Sequence, residues 1–234
     1  EGFERDGEGN VIPPYGFSEL SELIRQEFSR LDGGYFGPAL KAKPMVYSKL
    51  MSYLGFSGIF MSITAEPNVN RDIPPSQLPL VMAHEMAHSA GVMRENEANL
   101  LAYYLLLGSG DGYLRYSAYM STFGQILSAV YHACGEEKGA ELNAMYSPLI
   151  LKESFNNRKY WNEHENFINS VSDFFNDLYL KLSGVKSGTD SYTEPGRWDV
   201  VDTGEKDEQG EPIYEIHYSE IQYIYFDLYR KSAV

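Results

Sequence analysis

Cysteine is almost absent from this chain, because Cys134 is the single thiol among its 234 residues. One thiol excludes an intramolecular disulfide and any metal cluster built from several cysteines. The surrounding residues 129–135, Ala-Val-Tyr-His-Ala-Cys-Gly, are typical of the end of a helix. We therefore expect Cys134 to be buried there and not to act as a nucleophile.

Positive charge is scarce as well. The chain has 19 Lys and Arg residues against 33 Asp and Glu residues, which gives a formal net charge of −14. Such a balance repels nucleic acids and anionic lipid surfaces, so we expect neither as a partner.

Long apolar runs are missing too. No stretch approaches the roughly 18 residues that a membrane span needs. Residues 1–16 are polar and contain several glycines and prolines, so they do not form a signal peptide. The chain begins with Glu1 instead of methionine, and we therefore expect it to be part of a longer protein whose targeting segment is not included.

What the chain does contain is enough apolar side chain for a sizeable core, at 43% hydrophobic and 14% aromatic residues. We see no repeats and no strong linker, so we expect one domain over residues 1–234. Residues 1–16 read as an irregular arm. Apolar residues at helical spacing then predict helices over residues 18–31, 45–54, 76–90, 94–107, 112–134 and 147–183, and from residue 219 onward. In this scheme Ser18 and Ser76 are N-caps, and Gly91 is a C-terminal stop.

Strands are fewer. Residues 56–64 are aromatic and β-branched enough to predict a strand, whereas residues 65–75, with their prolines and asparagines, predict a loop. Residues 197–203 and 212–218 predict two strands around an acidic turn, a hairpin insertion over 197–218. The expected fold class is therefore α+β and mainly α, with a small β-sheet over the helix described next.

The strongest chemical signal is His84-Glu85-Met86-Ala87-His88, an H-E-x-x-H sequence in an otherwise apolar helix. Histidines four apart lie on the same helix face, so both imidazoles can reach one metal ion. Glu85 lies beside that ion, where it can act as general base on a zinc-bound water. The motif predicts a zinc-dependent hydrolase, most simply a peptidase.

A catalytic zinc site needs a third protein ligand, and the next helix offers two glutamates. Glu95 and Glu97 point roughly 200° apart on a helix, so only one of them can face the metal. Asn99 is four residues after Glu95 on the same helix face, where its amide can form a hydrogen bond with a metal-bound histidine. This favours Glu95 as the ligand and leaves Glu97 to cap the helix, to pair with Arg94, or to bind elsewhere around the site.

The expected mechanism also needs a group that stabilises the oxyanion of the tetrahedral intermediate. Tyrosine, histidine and arginine are the usual residues for this role, and they come from another segment of the chain. The candidates are Tyr192, His132, His164 and His217.

The glycine turn and the E-x-x-A-N sequence after H-E-x-x-H resemble the gluzincin peptidases, in which the first glutamate of such a segment binds zinc. The fuller string over residues 84–99 resembles more closely the bacterial domain of unknown function 3810 family. Residues 53–60, 64–70 and 176–181, with Gly184-Val185 and Ser191-Tyr192 beyond them, are also similar to that family. The likeness extends from about residue 40 to residue 192.

This resemblance implies a zincin-like metallopeptidase with Zn²⁺ on His84, His88 and Glu95, and with Glu85 and Tyr192 as catalytic residues. The substrate would be a peptide or protein. Members of the family usually carry transmembrane helices ahead of the catalytic region. The resemblance thus implies an extracytoplasmic domain of a membrane-anchored bacterial protein, tethered through the missing N-terminal region.

Two other interpretations compete with the peptidase. One is a zinc-binding sensory or protein-interaction domain with little or no catalytic activity, against which the intact Glu85 argues, because a purely structural site needs no general base. The other is a metal-free interaction module in which the motif is a coincidence.

Overall fold

The computed structural model of the chain describes residues 2–31, 36–164, 199–206 and 212–217. Helices dominate these residues, and a small sheet accompanies them, so the predicted fold class of α+β, mainly α, is confirmed. The helices are α1 (Phe17–Phe28), α2 (Ser48–Tyr53), α3 (Leu78–Ser89), α4 (Glu95–Gly108), α5 (Gly112–Met145) and α6 (Pro148–His164).

Helix α3 is the centre of the molecule, in contact with α1, α4, α5 and two strands of the sheet. Its apolar residues are fully buried on several sides, with Met82, Ala83, Met86 and Ala87 all at 0% exposure. A helix that is apolar nearly all round has no solvent face and is stable only inside a core. Polar residues on α3 are therefore held in a fixed, largely dry environment.

The helix boundaries correct two predicted caps. Helix α1 begins after Gly16, so Ser18 lies inside its first turn. Helix α3 begins after Gln77, while the buried Ser76 hydroxyl accepts a hydrogen bond from Asn157 of α6 at 2.9 Å. Gln77 therefore holds the N-cap position of α3, and no side chain of the described residues caps this helix by a hydrogen bond.

The sheet has three strands, β1 (Lys43–Pro44), β2 (Gly58–Met61) and β3 (Glu66–Val69), in the order β1-β3-β2. Strand β2 is antiparallel to β3, and β1 is parallel to it. The predicted loop over residues 65–75 is thus partly wrong. A strand tolerates Pro67 because β1 pairs only with Asn68 and Val69, which leaves the proline nitrogen without a partner strand on that side.

Helix α5 is longer than predicted because the chain turns back on itself within it. Gly135, with φ 79° and ψ 167°, separates two helical segments. The ring of Tyr131 packs against Gly139, and the rings of Phe123 and Tyr146 lie 4.8 Å apart, so the second segment runs antiparallel to the first. Cys134 beside this turn is exposed, which corrects the expectation that it is buried.

The N-terminal arm is less irregular than predicted. Arg5 and Val11 form an antiparallel bridge. The Arg5 guanidinium pairs with Glu153 of α6 and donates to the hydroxyl of Tyr116 on α5. The arm is therefore fastened to two helices.

The predicted hairpin near the C-terminus is confirmed, as β4 (Asp199–Lys206) and β5 (Pro212–His217) pair antiparallel. The second half of the predicted helix over residues 147–183, Tyr192 and the predicted helix from residue 219 lie outside the described residues. Among the described helices, none is long and apolar enough to cross a membrane.

Candidate metal centre

The two histidines of the H-E-x-x-H sequence meet as their helical spacing predicts. The Nε2 atoms of His84 and His88 are 3.1 Å apart, with the rings nearly perpendicular at 88°. His88 is 5% exposed, and Phe60 of β2 packs near its ring at a centroid distance of 5.8 Å. Both nitrogens face a common point between α3 and α4.

Gly91 reverses the chain between these two helices. Its φ of 100° belongs to the left-handed region, where residues other than glycine are strained. The amide of Val92 then donates to the Ala87 carbonyl at 3.1 Å, which closes the end of α3. The reversal brings the first residue of α4 back against the histidines.

That first residue is Glu95, and its carboxylate completes the cluster. One oxygen lies 3.2 Å from Nε2 of His84 and the other lies 3.5 Å from Nε2 of His88. Glu95 is only 3% exposed. Glu97 has a half-exposed side chain and pairs with Arg94 at 3.1 Å. Of the two candidate glutamates, the structure therefore brings Glu95 to the histidines.

The hydrogen bond of the His88 Nδ1 atom determines the tautomer of this ring, and thereby whether Nε2 can donate a lone pair to the cluster. Nδ1 lies 2.7 Å from the carbonyl oxygen of Val92, which can only accept. Nδ1 therefore carries a hydrogen, and in the neutral ring Nε2 presents a lone pair to the cluster. The Val92 carbonyl thus orients a histidine of the cluster, the role that was predicted for the Asn99 amide. The Nδ1 of His84 is buried and has no hydrogen-bond partner among the described residues.

The cluster favours positive charge. Burial alone would raise the pKa of the Glu95 carboxyl, but hydrogen bonds from His84 and His88 outweigh it and lower that pKa to about 2. Burial alone would lower the pKa of His88, but the hydrogen bond with Glu95 and the negative charge of Glu85 raise it. Two imidazole nitrogens and one carboxylate that stabilise a proton between them are also suited to a metal cation.

His84, His88 and Glu95 each offer a ligand atom, and these atoms lie close enough together to hold one metal ion. The three residues predicted as metal ligands are thus the ones that the fold brings together.

Glu85 lies next to this cluster. Unlike the three cluster residues, its side chain has no hydrogen bond or ion pair within the described part of the chain. The residue is 6% exposed. Burial is the main cause that raises the pKa of its carboxyl, while the two imidazoles oppose it. A buried carboxylate with a raised pKa beside such a cluster is a candidate for proton transfer.

The candidates for oxyanion stabilisation are not brought to the cluster by any described contact. Tyr192 lies outside the described residues, and for His217 only the strand is described. His132 is exposed on α5. The Nδ1 of His164 lies 2.6 Å from the Tyr160 carbonyl, and its ring packs on Tyr160 and Tyr53.

Sequence reasoning missed Gly58 and the Val92 carbonyl. Gly58 begins β2 and lies directly against the Glu85 side chain. Neither has a local signal, since one acts through the absence of a side chain and the other through a backbone atom. The sequence does contain one indication of the role of Gly58. A glycine inside a predicted strand often marks a point where another group approaches the backbone closely.

The family described as "Protein of unknown function (DUF3810)" matches residues 16–196, more than three quarters of the chain, so the chain belongs to this family. The resemblance inferred from residues 40–192 is thereby confirmed. No curated protein and no solved structure matches the chain.

Proposed function

We propose that this member of the DUF3810 family is a zinc-dependent metallopeptidase. The observation that carries the proposal is a buried carboxylate, Glu85, that has no hydrogen bond or ion pair within the described residues and lies in the same helix as a converging pair of histidines that Glu95 completes. A site that only holds a metal for structure has no use for such a carboxylate.

The donor set fits zinc. A tetrahedral zinc ion with bonds of 2.0–2.1 Å holds its ligands about 3.3 Å apart. The separations of 3.1, 3.2 and 3.5 Å among the three ligand atoms agree with that spacing. Two imidazoles disfavour magnesium and calcium, which prefer oxygen ligands. Three protein ligands leave one position open, as in catalytic sites.

Zinc, when bound, would supply a water of lowered pKa and polarise the scissile carbonyl. Glu85 would accept the proton of that water and pass it to the leaving amine. Burial keeps it basic, because desolvation raises the pKa of its carboxyl more than the two imidazoles lower it. Val92 would keep His88 in the tautomer that offers its Nε2 lone pair.

The sheet supports a peptide as the substrate class. Strand β2 is the outer strand of the order β1-β3-β2, and its first residue, Gly58, lies against Glu85. An extended peptide can add to such an edge by main-chain hydrogen bonds, which would lay its backbone alongside the general base.

The experiment is cleavage of a peptide library by the zinc-loaded protein, followed by mass spectrometry. We expect cleavage by the wild type, none after chelation, and a loss of about 10²–10⁴-fold in Glu85→Gln, the usual range for a general base. The Glu97→Gln variant is the matched control, because this exposed glutamate lies on the far side of α4, and it should cleave like the wild type.

Stoichiometric zinc without any cleavage would instead support the alternative, a zinc-binding sensory or interaction domain. Cleavage that survives both chelation and Glu85→Gln would contradict the proposed site. The extracytoplasmic location and the membrane tether stay predictions, which fractionation of cells expressing the full-length protein would test.

A further inference from the structure

We infer that Gly58 is a positioning residue for the general base, and that strand β2 sets the place of the Glu85 carboxylate by having no side chain at this point. The inference rests on the proposed function, because it assigns Gly58 a part in the same reaction. It goes beyond that function in naming an element outside the two metal-binding helices.

The contact is steric and direct. A Cβ atom built on Gly58 would lie 2.6 Å from Cγ and 2.7 Å from Cδ of Glu85, with one carboxylate oxygen closer still. Real Cβ atoms essentially never show separations below 3.0 Å. The overlap involves the stem of the side chain as well as its tip, so a small rotation of the carboxylate does not relieve it.

The backbone does not itself require glycine at this position. Within the described part of the chain, the residues in the left-handed region are Gly9, Gly55, Gly91, Gly135 and Ala65, and Gly58 is not among them. Gly58 pairs with Val69 in a regular antiparallel register. Glycine in a strand loses conformational entropy and packs nothing, so its use here needs another reason. The space occupied by Glu85 supplies one.

Helix α3 is held in place near the sheet. It packs on β2 and β3, and the two residues after Glu85, Met86 and Ala87, are fully buried. A methyl group on residue 58 therefore has to displace either the carboxylate or the strand. Either change alters the distance between the general base and a substrate held along β2, while the contacts that His84, His88 and Glu95 make with one another do not involve this strand.

The kinetic test is Gly58→Ala on the zinc-loaded protein. We expect zinc stoichiometry to stay at the wild-type value, kcat to fall at least about tenfold, as small displacements of a catalytic group do, and KM to change less than about twofold. Gly108→Ala is the matched control, because a Cβ there meets nothing within 4 Å, and it should leave both constants unchanged.

A second readout needs no activity. In the zinc-free protein, Gly58→Ala should lower the melting temperature by a few degrees. In the Glu85→Ala background the same substitution should cause no decrease, because the atoms it would strike are gone. Should Gly58→Ala fail to fold, the double variant Gly58→Ala with Glu85→Ala is expected to fold and to melt like Glu85→Ala.

The outcomes separate the two claims. No cleavage by the wild type would overturn the proposed function and this inference together. Cleavage by the wild type with an equal kcat in Gly58→Ala would overturn the inference alone. Loss of zinc from Gly58→Ala would also overturn the inference alone, and so would an equal destabilisation by this substitution in both backgrounds.

Discussion

Two buried glutamates show how differently this fold treats the same chemical group. Glu153 on α6 is 0% exposed, and its carboxylate accepts hydrogen bonds from Arg5, the Tyr116 hydroxyl and the Val11 amide. Glu85 on α3 is 6% exposed and accepts none within the described part of the chain. One carboxylate is satisfied by donors, and the other is left open.

The difference indicates that one buried carboxylate serves the stability of the fold and that the other is available for chemistry. A buried carboxylate surrounded by donors fastens segments together, here the N-terminal arm to helices α5 and α6. Burial of the Glu85 carboxylate makes its charged form unfavourable, and no hydrogen bond or ion pair within the described residues ties it to another segment. Its presence beside a cluster of metal-binding geometry is therefore an argument for function.

The largest effect is expected at the satisfied carboxylate. Glu153→Ala leaves the Arg5 guanidinium, 15% exposed, without its buried partner, and the free energy of unfolding should fall by about 3–5 kcal/mol. Urea denaturation at neutral pH measures this. Glu163→Ala on the same helix is the control, since its side chain is 62% exposed, and it should change little. A loss below about 1 kcal/mol in Glu153→Ala would remove the contrast between the two glutamates.

The next effect is a pH dependence at Glu95. Its pKa is lowered to about 2 by the two histidines, so in the zinc-free protein its stabilising contribution is present above the ordinary pKa of 4.5. That contribution disappears as the pH falls through about 2, and it amounts to at most about 3 kcal/mol. Melting temperatures of the wild type and Glu95→Gln should converge over this range. Curves that stay parallel down to about pH 2 would speak against the ion pair.

Glu85 should show the opposite sign. Burial raises the pKa of its carboxyl, so the contribution of Glu85 to the stability of the zinc-free protein is fully present below the ordinary pKa of 4.5 and is lost as the pH rises through the raised value. Glu85→Gln lacks this decline. We expect the variant to be more stable than the wild type at about pH 8 and the advantage to vanish near about pH 4. A variant that is less stable than the wild type under the alkaline condition would mean that Glu85 has partners after all.

The smallest effect is expected at Glu97, which is neither buried nor part of the cluster. Its pair with Arg94 joins two exposed side chains three residues apart. Glu97→Gln should change the free energy of unfolding by no more than about 0.5 kcal/mol, measured in the same urea titration. A change above about 1 kcal/mol would show that exposure does not separate the two glutamates of α4.

The parts of this site that the sequence predicts are those that depend on helix geometry alone. The spacing of His84 and His88 fixes a common face. Gly91 marks the reversal, and the phase of α4 distinguishes Glu95 from Glu97. Each of these follows from a few neighbouring residues.

The parts that escape prediction depend on contacts between distant segments. Strand β3 tolerates Pro67 because β1 pairs only with the two residues after it, Asn68 and Val69. The partners of Glu153 come from segments far away in the chain, the N-terminal arm and helix α5. The Val92 carbonyl and the bare backbone of Gly58 carry no side-chain signal at all.

The most direct test of the central claim is a calorimetric titration of zinc into the zinc-free protein, with Glu95→Ala and Glu97→Ala as a matched pair. We expect one zinc ion per chain in the wild type and in Glu97→Ala, and an affinity reduced at least about 100-fold in Glu95→Ala. Equal binding by all three proteins, or no binding by the wild type, would contradict a centre made of His84, His88 and Glu95.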